Sequence, residues 1–197
     1  MLDENLKSTA LKEIILETEH LYLRECVESD VDDFMELDKD SEKIKFMPIP
    51  KEAVSREFQL NNIKRLQDNY NNQIGLGVWT AIEKRNNSFA GWFALKHLGR
   101  SEDIEIAYCI VERLRGMGYA TEMSGRILEY AFMELKLEKI LGLTNPENTA
   151  SKKVLEKIGM SFNEKKLHNG IEMLFYSIDV KSYKLLHYSP TANISRI

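Results

Sequence analysis

Between residues 76 and 111 lie three short runs rich in apolar, β-branched and aromatic residues, LGVWTAIE (76–83), FAGWFALKHL (89–98) and DIEIAYCIV (103–111), the last with alternation along 104–111. Such runs between turn signals predict strands. KRNNS joins the first two as a hairpin, and Gly99-Arg100 turns the chain into the third. The period then changes. Ala120, Met123, Ile127, Leu128, Ala131 and Leu135 recur at helical spacing, predicting a long helix from about Tyr119 to Leu137. Upstream, LYLRECV (21–27) reads as a first strand, and Ser29 with Asp32 forms an S-x-x-D capping box. The short helix it opens has Val31, Phe34, Met35 and Leu37 on its apolar side. Pro48 and Pro50 break the chain, and a second helix from about Glu52 to Tyr70 carries Val54, Phe58, Ile63 and Leu66. Downstream, KILGLT (139–144) is a short buried strand. Asn148 caps a helix that runs to Ile158 and stops at Gly159. SFNEKKL and IEMLFYSID pair around Asn169-Gly170, a tight-turn dipeptide. The order predicts one mixed α/β domain over residues 1–197, with hairpins and a βαβ unit in a single sheet. Its core covers about 18–179, and 1–17 and 180–197 read as appendages.

Composition narrows the class. A chain of 197 residues, 43% hydrophobic, can bury a sizeable core. A net charge of −4 speaks against a nucleic-acid partner. Cys26 and Cys109 stand far apart and the four histidines are scattered, so neither a disulfide framework nor a metal site is expected. No apolar run reaches membrane-spanning length, and the polar, acidic N-terminus does not resemble a signal peptide. These features fit a cytoplasmic protein with no membrane partner.

VERLRGMGYATE (111–122) puts Arg113, Gly116 and Gly118 at the junction between strand and long helix. One reading is a tight turn. The other is an anion cradle, because a helix start presents unpaired N–H groups and glycines let a phosphate approach. A dinucleotide site does not fit. Thr121 stands where a third glycine belongs, the segment follows four predicted strands, and Glu138 precedes KILGLT instead of following it.

IAYCIVERLRGMGYATE, with Arg113, Gly116 and Gly118 in an R/Q-x-x-G-x-G/A pattern, resembles the strand, loop and helix of the GNAT acyltransferase superfamily. NPENTASKKVLEKIGM resembles its second block, and TEHLYLRE resembles the opening of the ribosomal-protein N-acetyltransferase branch. The resemblance implies the GNAT fold, with a central, twisted, mostly antiparallel sheet that splays between its fourth and fifth strands and is flanked by helices. It implies acetyl-CoA as cosubstrate. Its pyrophosphate would lie on the amides of Arg115, Gly116, Met117, Gly118, Tyr119, Ala120 and Thr121, with charge from Arg113 and Arg115. Main-chain groups of Cys109, Ile110 and Val111 would hold the pantetheine, and Asn148 and Ser151 would face the thioester.

Acetyl transfer to an amine needs a base, because only the neutral amine attacks. Glu105 is the candidate: alternation places it with Ala107, Cys109 and Val111, opposite the apolar face of Ile104, Ile106, Tyr108 and Ile110. The family's general-acid tyrosine is Leu155 here, which leaves Ser151 as the candidate donor to the leaving thiolate, with Tyr176 as the other. The family's strand glycine is Ala107 and its closing phenylalanine is Met160. Phe46, Met47, Trp79 and Trp92, with Tyr176, are candidates for an acceptor pocket. The expected activity is N-acetylation of a protein N-terminus or a small-molecule amine by direct attack in a ternary complex. Leu155 and Ala107 motivate the alternative, a degenerate sensor that binds acyl-CoA without turnover. An exposed strand edge or a tail offers surface for a homodimer.

Overall fold

The computed structural model describes residues 13–47, 49–72 and 75–188. Pro48 and the outer parts of the two terminal segments lie outside the described residues. Eight strands form one sheet in the order β1-β2-β3-β4-β5-β6-β8-β7. They are β1 (Leu16–Glu17), β2 (Leu21–Glu25), β3 (Gly77–Glu83), β4 (Ser88–His97), β5 (Ile104–Ile110), β6 (Lys139–Thr144), β7 (Ser161–His168) and β8 (Ile171–Asp179). Every neighbouring pair is antiparallel except β5 and β6. The helices are α1 (Val31–Asp38), α2 (Ser41–Phe46), α3 (Arg56–Asn72), α4 (Tyr119–Glu129), α5 (Thr149–Lys157) and α6 (Val180–Tyr188).

Strand alternation divides the interior in two. One core gathers Leu23, Phe93, Ile106 and Ile140 with Met123, Ile127 and Leu128 of α4 and Leu155 of α5. On the other, Val31, Phe34 and Leu37 of α1 and Ile63 and Leu66 of α3 cover Cys26 and Phe89. The apolar side predicted for α1 is therefore buried as a unit. At Gly91 (φ +135) an added Cβ would come within 2.0 Å of the Cys109 carbonyl oxygen, so β4 and β5 approach only because that side chain is absent.

Several local expectations give way to tertiary contacts. Ser29 and Asp32 are exposed and do not cap α1. Asp30 is the buried acid. It accepts the Val27 N–H at 2.9 Å and the Thr80 hydroxyl at 2.7 Å, and pairs with Arg24 at 2.6 and 2.8 Å. The helix predicted from Glu52 is two pieces: a 3-10 turn, Lys51–Val54, and then α3, separated by an extended Ser55. The break shifts the helical phase, leaving Val54 exposed while Ala53 and Gln59 are buried. Helix α2 has no counterpart among the predicted elements. Asp40 caps it, accepting from the N–H groups of Glu42 and Lys43. The long helix after Gly118 ends as a π turn, Tyr130–Glu134. Neither flank of the core is a simple appendage. Leu16 is buried and β1 pairs with β2, while Tyr183 of α6 is buried with its ring 5.0 Å from Phe132. Among the described residues no helix is long and apolar enough to cross a membrane.

Candidate active site

Strands β5 and β6 fork. β4 pairs with β5 along its whole length, from His97↔Ile104 to Gly91↔Ile110. β6 meets β5 only at Glu105↔Leu141 and Ile106↔Gly142. Beyond Ile106 the β5 edge is therefore open. The Val111 N–H donates to the Ala90 carbonyl at 3.0 Å, which sets the parity of the strand. Alternation turns the main-chain groups of Cys109 toward β4 as well, and those of Tyr108 and Ile110 toward the fork. Of the three residues expected to offer main-chain contacts there, Ile110 alone does so, and Tyr108 joins it. The Ile110 carbonyl also accepts from Arg115 Nε at 3.2 Å.

The fork opens beside the glycine loop. The N–H groups of Leu114 and Arg115 close a 3-10 turn onto Val111 and Glu112, so the Arg115 amide is occupied. Gly116 (φ +77) and Gly118 (φ +87) are both left-handed, and a Cβ at either would meet nothing within 4 Å. Two left-handed residues in three fold the backbone around open space, a conformation only glycine takes without strain. Gly118 leads into α4, whose first N–H groups, from Tyr119, Ala120 and Thr121, have no partner in the preceding turn. Their dipoles favour an anion. Tyr119 is buried against His20, ring centroids 5.0 Å apart, and His20 pairs with Glu122 at 2.8 Å, which fixes this helix start to the β1–β2 turn. Met117 is exposed at the loop tip.

The two arginines do not supply free charge to this cradle. Arg113 donates to Glu83 at 2.7 Å, the Ser88 hydroxyl at 2.6 Å and the Phe89 carbonyl at 2.7 Å, locking the loop to the β3–β4 hairpin. This pairing holds the Glu83 carboxyl below the usual carboxylate range. Arg115 binds Asp40 and, at 2.6 Å, Glu42. Burial pushes the Asp40 carboxyl up, but the Lys43 N–H and the Arg115 guanidinium outweigh it and hold the acid low. The far end of α2 reaches the turn before α5 through Lys45 and Glu147, 3.1 Å apart. Helix α2 is thus a strap, tied to the glycine loop at one end and to the approach to α5 at the other. Beneath it Lys43 is buried and paired with Asp38, which also accepts from Gln59 Nε2 at 2.7 Å. Burial raises the neighbouring Cys109 thiol to about 11.

Asn148 accepts the Ser151 N–H at 2.9 Å, capping α5 as expected. Across the fork, the Tyr108 hydroxyl lies 3.2 Å from Ser151 Oγ and 3.3 Å from the Ser151 carbonyl oxygen. Burial raises the Tyr108 phenol to about 12. Strand alternation counts Tyr108 with the apolar face. Its signal is nonetheless visible in the sequence, because it carries the one hydroxyl in the series Ile104, Ile106, Tyr108, Ile110. Leu155 is buried. Its Cδ2, with Met160 Sδ, fills the space where a Gly142 Cβ would sit, at 2.7 and 3.1 Å.

Glu105 is buried at the base of the fork, opposite Lys96, whose ammonium donates to it at 2.5 Å. The carboxylate is on the expected strand face and is ion-paired with Lys96. The residues expected to form an acceptor pocket do not converge. Trp79 is core, edge-on to Tyr130 at 6.5 Å, and Tyr176 is core beside Phe162, its phenol raised by burial and by Glu156. Their rings complete the α4 and α5 side of the sheet, which leaves no face for an acceptor. Trp92 packs on the opposite side with Cys109, and Phe46 is half-buried at the end of α2, while Met47 is exposed.

Residues 20–161 match the family profile of the acetyltransferase (GNAT) domain. YkkB of Bacillus subtilis, uncharacterized, is 36% identical over 100 residues, 49% of this chain and 58% of that protein. The chain thus spans little more than half of that relative. Among solved structures, a GNAT-family acetyltransferase from Bacillus anthracis superposes with a TM-score of 0.69 at 26% identity, covering 84% of this chain and 98% of the other. The ribosomal-protein-S5-alanine acetyltransferase from Vibrio fischeri gives 0.73 at 16% identity, over 86% and 98%, a likeness of fold. The matched span contains the fork, the glycine loop and the α5 cap, and the chain belongs to the GNAT acetyltransferase family.

Proposed function

We propose that this protein is a cytoplasmic, acetyl-CoA-dependent N-acetyltransferase that moves the acetyl group directly to an amine in a ternary complex. The observation that carries the reading is the fork between β5 and β6 opening onto the left-handed glycine loop at the start of α4. An extended pantetheine suits the open main-chain edge at Tyr108 and Ile110, and a pyrophosphate suits the cradle from Gly116 to Thr121. The thioester then lies deeper in the fork, near Ser151, where a fork-facing N–H of β5 would hold the tetrahedral oxyanion. Glu105, with Lys96 beside it, takes the ammonium proton directly or through water. The acceptor is an α-amine of a protein N-terminus or of a small molecule. Such an amine ordinarily titrates at about pH 8, against about 10.4 for a lysine side chain, and needs less help from a base.

The reading is tested by calorimetry with acetyl-CoA and with NAD, followed by thiol release over a panel of amines and N-terminal peptides. Acetyl-CoA binding with turnover of an α-amine is the expected result. Binding without turnover on any amine supports the sensor alternative, and absence of acetyl-CoA binding overturns the reading.

A further inference from the structure

Helix α5 has no tyrosine to protonate the leaving thiolate, because the position that would carry it is Leu155, closed into the core over Gly142. The open stretch of β5 contains a phenol instead. Tyr108 lies beyond the last β5–β6 pair, and its hydroxyl reaches across the fork to the first turn of α5. Its ring is held from behind by Phe93, a fully buried residue of β4, with centroids 5.9 Å apart. Ser151, its partner, is fixed in turn by the Asn148 cap. The hydroxyl pair has one acceptor of its own, the Ser151 carbonyl, 3.3 Å from the phenol oxygen.

Resting on the acetyltransferase reading, we propose that Tyr108 supplies through Ser151 the proton that the coenzyme A thiolate takes as it leaves. As the tetrahedral intermediate collapses, the C–S bond breaks and its electron pair stays on sulfur. The Ser151 hydroxyl proton passes to sulfur while the Tyr108 proton passes to Ser151. The second proton of the attacking nitrogen passes to water in the open fork as the amide forms, and water returns a proton to the phenol oxygen. One amine proton leaves before attack and one ends on the thiol, so the protons balance. Tyr108 does not touch the reacting atoms and is a positioning residue, with Ser151 as the group that meets the sulfur. Burial keeps the phenol protonated and disfavours a lasting phenolate, so the proton it gives must be replaced in the same step.

Tyr108→Phe keeps the ring against Phe93 and removes only the hydroxyl. With an amine that the wild type acetylates, kcat should fall about 10²-fold, the low end of what proton transfer contributes. Acetyl-CoA affinity and the thermal midpoint should remain those of the wild type. The Ser151→Ala variant should show a similar loss. The double variant should be no slower than the slower single one, because both changes break the same relay. The solvent deuterium isotope effect on kcat should differ between wild type and Tyr108→Phe, which a packing role would not cause. Full turnover by Tyr108→Phe, or losses that multiply in the double variant, overturns the relay and leaves the acetyltransferase reading intact. A wild type that binds no acetyl-CoA overturns both.

Discussion

At Gly118 the backbone sits at φ +87 with open space where a side chain would go. Gly118→Val therefore strains the backbone without a clash, at a cost of about 1–2 kcal/mol, and places a branched group in the anion cradle. The variant should remain folded by circular dichroism while calorimetry shows acetyl-CoA affinity reduced about tenfold or more, since the chelating amides of a helix start are displaced. Wild-type affinity in a folded variant would place the cofactor elsewhere. Glu105 poses a different question, because Lys96 already holds its carboxylate at 2.5 Å. Glu105→Gln should lower kcat/KM near neutral pH by about 10²-fold or more if the acid is the base, with the deficit shrinking as the pH approaches the amine pKa. A pH–rate profile unchanged from wild type would make the pair structural, a cross-strand tie at the base of the fork.

Among the elements, α2 leaves no periodic signature in the sequence and is the one that connects the glycine loop to α5. Asp40 serves it twice, as N-cap and as the Arg115 partner. Asp40→Ala should cost about 1 kcal/mol for the cap, measured by urea denaturation, and should weaken acetyl-CoA binding several-fold because Arg115 no longer anchors the loop. Asp40→Asn keeps a good cap and removes the charge, so it separates the two effects. The folded Asp40 carboxyl lies below its ordinary value. Its contribution is therefore complete above the unfolded pKa of about 3.9 and is lost as pH falls through the lower, folded value. Acid titration should show wild-type stability falling below about pH 4, with part of that pH dependence missing in Asp40→Asn. Identical acid profiles would exclude this ion pair from the linkage.

For the whole molecule, α6 closes the larger core. Tyr183 is buried, packs on Phe132 of the π turn and belongs to the same cluster as Met123 and Ile127. Tyr183→Ala should destabilise the protein by about 3 kcal/mol or more in equilibrium denaturation, as expected for deleting a core aromatic ring. A loss below about 1 kcal/mol would mean that α6 is peripheral, since exposed positions vary within about half that amount. The two cores also differ in their relation to the site. The α4 and α5 side contributes Tyr108 and Ser151, whereas Lys43 and Cys109 sit on the side of α1 and α3, beneath α2.

Periodicity and turn chemistry by themselves determined β3 to β6, α1, α4, α5 and the last hairpin: the helices bury one stripe, β3 to β6 are apolar runs between turn signals, and the exposed β7 is fixed by the Asn169-Gly170 turn. The glycine loop was equally legible, since Gly116 and Gly118 occupy a backbone conformation that other residues avoid. Tertiary structure alone decided what the charged and aromatic side chains do. Arg113 and Arg115 carry positive charge in any conformation, but only the folded chain brings Glu83, Asp40 and Glu42 to them from distant segments. Trp79 and Tyr176 could line a pocket or pack in the core until the sheet assigns their faces, and alternation within one strand says nothing about which face meets a cleft. The parity of β5 required the Val111–Ala90 bond, and the pairing of Tyr108 with Ser151 required the fork, a contact across 43 positions of sequence. Spacing along the chain records burial because burial is periodic. It does not record partners, because those are chosen by the packing of elements that are neighbours only after folding.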